Sequence, residues 1–76
     1  MKIDLNKKLT VEEIREAILY LKEEYGITYK SWTERVVISE KTISRLMTGR
    51  IKSMSDENRT NLGRAIQKVY RKLNNK

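Results

Sequence analysis

Leu62, Ala65, Ile66, Val69, Tyr70 and Leu73 stand one to three residues apart on a helical repeat, and Val11, Ile14, Ile18, Leu21 and Tyr25 follow each other at intervals of three and four. Such spacing gathers apolar side chains on one side of an α-helix and on neither face of a strand. Two amphipathic helices near the ends of so short a chain leave one solution, an all-α bundle with a single core. At 76 residues the chain forms one domain, residues 1–76, near the lower size at which one core sustains folding. It has no cysteine and no histidine, so neither a disulfide nor a Cys/His zinc site can staple it. The absence of proline and the scarcity of glycine suit helices joined by short turns.

The helix boundaries follow from local side-chain-to-backbone chemistry. Residues 10–25 form the first helix, with Thr10 as N-cap, Glu13 completing a capping box and Gly26 ending it in a left-handed conformation. Residues 28–36 form a short second helix behind Thr28 as N-cap, with Trp32 and Val36 on its inner side. Residues 39–48 form the third, with Ser39 as N-cap, Ile43, Leu46 and Met47 as its buried stripe and Gly49 as its stop. After a linker from Arg50 to Met54, residues 55–74 form the fourth, capped by Ser55 with Asp56 and Glu57 in its first turn. Asn74 and Asn75 fray it, and Trp32, Met47 and Tyr70 are expected in the core. The arm at 1–9, with Ile3, Leu5 and Leu9, packs on the domain, packs on a second subunit, or hangs loose.

Charge is distributed unevenly. Residues 1–26 carry five Lys/Arg against six Asp/Glu, whereas residues 27–76 carry twelve against four. The whole net charge of +7 therefore lies after the first helix, which suggests a half that faces a polyanion. The first helix is acidic outside, at Glu12, Glu16, Glu23 and Glu24, and is expected to face away from phosphate. Arg64, Lys68, Arg71 and Lys72 form a basic stripe outside the fourth helix, usually a solvated face and otherwise a contact for DNA or a partner. No apolar stretch reaches the roughly 20 residues of a membrane span, and no signal-peptide pattern opens the chain, so a cytoplasmic location is expected. Without His or Cys, acid–base and thiol chemistry lose their usual carriers, and no Gly-rich phosphate loop is present; an enzyme, a cofactor or a metal site is not expected.

The middle of the chain carries the functional inference. Ile27, Trp32, Val36, Ile38, Ile43 and Leu46 occupy the places where two short helices crossing through a tight turn need apolar residues. Between them Glu40, Lys41, Ser44 and Arg45 are polar and point outward together. The run from Ile27 to Gly49, above all Ile38-Ser39, Thr42-Ile43-Ser44-Arg45 and Gly49, resembles the helix-turn-helix of the Cro and phage-repressor (XRE-like) family, without a gap. The resemblance covers roughly residues 10–70 and implies a lambda-repressor-like fold. Three positions depart from the family's habit: Tyr29 replaces a usual Gln, Thr33 a small Ala, and Val37 a turn Gly. A branched Thr33 is expected to push the two helices slightly apart. If Val37 took positive φ it would cost on the order of 1–3 kcal/mol, so the turn either differs from the family's or is strained. The family also usually adds a fifth helix, whereas residues 55–75 read as one.

The resemblance implies a phage or prophage repressor-type regulator that binds a double-stranded DNA operator. Its third helix would enter the major groove, with Lys41 or Arg45 on guanine, Ser44 on either partner, and Glu40 either accepting from cytosine or simply stabilising the helix N-terminus. Thr28, Tyr29, Thr48, Arg50 and Lys52 are the candidates for phosphate contact. A homodimer would set two such helices about 34 Å apart, on a palindromic site. The alternative is an antirepressor or modulator that keeps this fold and blocks a partner repressor protein, an idea that Glu40 and the irregular turn favour.

Overall fold

Thr10 opens the first helix as its residue type demands. In a computed structural model that describes residues 3–50 and 54–74, its hydroxyl accepts the Glu13 N–H while the Glu13 carboxylate accepts the Thr10 N–H. Four helices follow, α1 (Val11–Tyr25), α2 (Tyr29–Arg35), α3 (Glu40–Met47) and α4 (Asp56–Asn74), and the described residues contain no strand. Gly26 stops α1 at φ 70°, in the left-handed region that glycine enters without penalty. Ser55 Oγ accepts the Asn58 N–H and caps α4. α2 and α3 are each a residue shorter at their ends than expected, with Val36, Ser39 and Thr48 in flanking positions. No helix among the described residues is long and apolar enough to cross a membrane.

The core is one cluster. Ile14, Ala17, Ile18 and Leu21 of α1, Trp32 of α2, Ile43 and Leu46 of α3, and Leu62 and Ile66 of α4 are fully buried. Burying each large apolar side chain contributes about 1.5–3 kcal/mol. α1 packs on α4 and α2 on α3, and the two pairs meet where α1 touches α3 and α2 touches α4. Two expectations need correction. Tyr25, placed on the buried stripe of α1, is 44% exposed and sets its ring edge to face against Tyr20 rather than into the core. Met47 and Tyr70 are only half-buried, packed against the core's edge.

The arm packs on its own domain. Ile3 and Leu9 are buried, and Gln67 Nε2 of α4 donates to the Asp4 and Lys7 carbonyl oxygens at 2.8 and 2.7 Å. Lys7 pairs with Glu13 at 2.9 Å, and Lys8 pairs with Asp56 at the start of α4. Their ammonium groups hold the Glu13 and Asp56 carboxyls below the ordinary carboxylate range, Glu13 with help from the Thr10 N–H and Asp56 with help from Arg59.

Candidate functional site

α3 is a short helix tied by hydrogen bonds at both ends. At its start Ser39 Oγ accepts the Thr42 N–H at 3.1 Å and shares a hydrogen bond with the Thr42 hydroxyl at 2.7 Å. At its finish Arg50 N–H donates to the Arg45 carbonyl and Gly49 N–H to the Leu46 carbonyl, with Gly49 at φ 80°. That is the paired bonding of a Schellman stop. A third fixing comes from α1: Arg15 Nε donates to the Leu46 carbonyl at 3.0 Å. A guanidinium at the carbonyl end of a helix is also favoured by the helix dipole. This tie went unread in the sequence; the one signal was a cation beside Ile14, on the flank of a buried stripe.

One side of α3 is sealed and the other is open. Ile43 and Leu46 are fully buried, whereas Glu40, Lys41, Ser44 and Arg45 are exposed. Ser44 and Arg45 each stand three or four residues from Lys41 and from the capping Thr48, which places the four on a single stripe of the helix surface. Glu40, Lys41 and Arg45 enter no ion pair among the described residues, so their charges face solvent. The Thr48 hydroxyl donates to the Arg45 carbonyl at 3.1 Å, while the Arg50 side chain stands exposed beyond the stop.

The start of α2 departs from expectation. Thr28 holds the extended backbone of an N-cap, but its side chain makes no capping bond. Its carbonyl instead accepts the Ser31 N–H and hydroxyl, a tight first turn that turns the cap inward on the backbone. Tyr29 is half-buried with the Lys22 ammonium 4.2 Å from its ring centre, a cation–π contact that anchors α1 to α2. Lys52 lies outside the described residues.

The turn between α2 and α3 settles the question Val37 raised. No described non-glycine residue has positive φ. Val36 is extended (φ −136°, ψ 156°), and Ile38 N–H donates back to the Val36 carbonyl at 2.9 Å, enclosing Val37 in a three-residue turn. With negative φ at its centre this turn suits a β-branched residue, so the turn differs from a glycine turn and is unstrained. Its consequence is exposure: Val37 is 99% accessible. Trp32 is fully buried, as expected, with an indole N–H that finds no partner among the described residues.

Among the described residues no group of His, Cys, Asp or Glu is arranged to hold a metal ion. Compared with known proteins, the chain matches no family model, no curated protein and no solved structure.

Proposed function

We propose that this chain is a sequence-specific, duplex-DNA-binding regulator of the repressor type, with α2 and α3 as its helix-turn-helix. The observation that carries the reading is the two-sidedness of α3. Its apolar side is locked into the core while Lys41, Ser44 and Arg45 stand exposed on a helix fixed at both ends. An α-helix of that kind fits the major groove, where Arg and Lys reach guanine O6 and N7. Arg50, Lys52 and Thr48, just beyond α3, supply phosphate contacts; Thr28 and Tyr29 at the start of α2 supply others. Glu40 lies at the helix N-terminus, where its charge favours the helix dipole and can accept from a cytosine amino group.

A second reading, a modulator that blocks a partner repressor by protein contact, draws on the fully exposed Val37 and on Glu40 within the outward face. One titration series separates the two. Labelled duplex from the gene's own upstream region is compared with an unrelated duplex at several salt concentrations, with and without the resident repressor. Preference for the first duplex that survives near-physiological salt supports DNA reading; equal, weak binding to both with capture of the repressor supports the second. Arg45→Ala is expected to relax preference at one base pair by about 1–3 kcal/mol, and Lys52→Ala to weaken all duplexes alike. Equal losses on every duplex from Arg45→Ala would remove Arg45 from base reading.

A further inference from the structure

Two surface features lie outside the proposed DNA-reading face of α3. The first is a groove of about 720 Å³ between the end of α2 and the outer side of α4. Val36, Val37, Ala65 and Val69 line it as apolar surface, and Arg35, Arg64, Lys68 and Lys72 line it as cations against the single carboxylate of Glu34. The second is the outer side of α1, where Leu19 and Tyr20 are flanked by Glu16, Glu23 and Glu24. Leu19 is 44% exposed, and Tyr20 meets Tyr25 edge to face at 6.2 Å, which fixes the aromatic pair in place. The two cations of α1 are engaged elsewhere, Arg15 on the Leu46 carbonyl and Lys22 over the Tyr29 ring. That leaves the patch purely acidic.

The large hydrophobics exposed among the described residues are Leu19, Tyr25 and Val37, two at the acidic patch and one in the basic groove. Pairing the groove with its own copy across a twofold axis would set its cations against one another, so charge disfavours a symmetric contact there. Pairing it with the α1 patch joins apolar centre to apolar centre and acidic flank to basic rim. The two features share no lining residue, so neither contact uses up a residue that the other needs. We infer that a second copy of this chain seats the acidic outer face of its α1, led by Leu19, in the basic-rimmed groove between α2 and α4. The contact is head to tail. Each added copy presents a fresh groove and a fresh patch, and association continues past the dimer unless it closes into a ring. The inference does not depend on DNA binding and is tested without DNA.

Sedimentation equilibrium of the intact protein over a wide concentration range provides the test. At low salt the average mass is expected to rise with concentration beyond that of a dimer. Raising the salt to about 0.5 M is expected to weaken the association roughly tenfold, because rim and flank charges are screened at the surface. Val37→Glu disables the groove and Leu19→Asp disables the patch, and each alone is expected to stay monomeric. Mixed, they are expected to form a one-to-one dimer that grows no further, since only one intact groove and one intact patch remain. Circular dichroism checks that each variant is folded, and Val37→Gln with Leu19→Gln serve if the charged forms are not. A native protein that stays monomeric at low salt overturns the inference. So does self-association retained in either single variant, or a mixture that remains monomeric.

Discussion

Arg15 shows how much one side chain can settle. Its Nε–H meets the Leu46 carbonyl, which already accepts from Gly49, so a single oxygen joins α1 to the end of α3 and to the turn that stops it. A hydrogen bond to a charged donor is worth more than a neutral one, and this one is partly shielded from water. Arg15→Met keeps most of the aliphatic stem and removes the donor. It is expected to lower stability by about 1–2 kcal/mol, read as a shift in the urea midpoint with an unchanged slope. Arg15→Lys should recover little, because an ammonium cannot present the same fixed N–H. A full recovery by lysine would mean that charge at the helix end, not the bond, is what matters. No sequence rule finds this contact: the partners lie 31 residues apart, and a backbone carbonyl carries no side-chain signature.

At the scale of elements, α4 has a weak point at its middle. Gly63 is buried within the helix, at negative φ, beside Leu9 of the arm. A Cβ added there would lie 3.7 Å from the Leu9 Cβ, an ordinary van der Waals contact. Glycine in a helix interior costs roughly 0.5–1 kcal/mol relative to alanine. Gly63→Ala is therefore expected to stabilise the protein by about that amount in thermal or urea unfolding. A destabilised variant would show that the arm cannot tolerate the extra methyl. The contrast with Gly26 and Gly49, which open space surrounds but positive φ reserves for glycine, explains which parts of the fold were legible. Where a side chain acts on its own backbone, as in the Thr10–Glu13 capping box, the Ser39 cap and the two glycine stops, the sequence announced the element and its ends. Where the outcome depended on distant packing it did not. The arm's seat on α4, the exposure of Tyr25 and the inverse turn around Val37 each needed the assembled body. The outward face of α3 was legible because four polar residues and two buried ones obey one helical period. The groove was not, because its two walls come from separate helices.

For the molecule as a whole, the question is whether net charge or placed charge governs the proposed binding to DNA. The positive excess lies wholly after residue 26, yet only Lys41 and Arg45 of it belong to α3; the rest is spread over α2, the sequence after α3, and α4 above all. A cation away from the contact raises the encounter rate through the long-range field and adds nothing to discrimination between bases. Lys68→Gln combined with Lys72→Gln, both at exposed positions of α4, is accordingly expected to slow association with any duplex several-fold at low salt. The deficit should fade as the Debye length falls to about 8 Å near physiological salt, and the ratio of specific to unrelated affinity should hold. Arg45→Ala should do the reverse, leaving the low-salt encounter rate nearly intact while the ratio falls. Stopped-flow association rates and equilibrium titrations on the same two duplexes give both quantities. If neutralising α4 erased the preference and Arg45→Ala spared it, the reading surface would belong to α4, and the two-sided α3 would be a structural strut rather than the part that meets the bases.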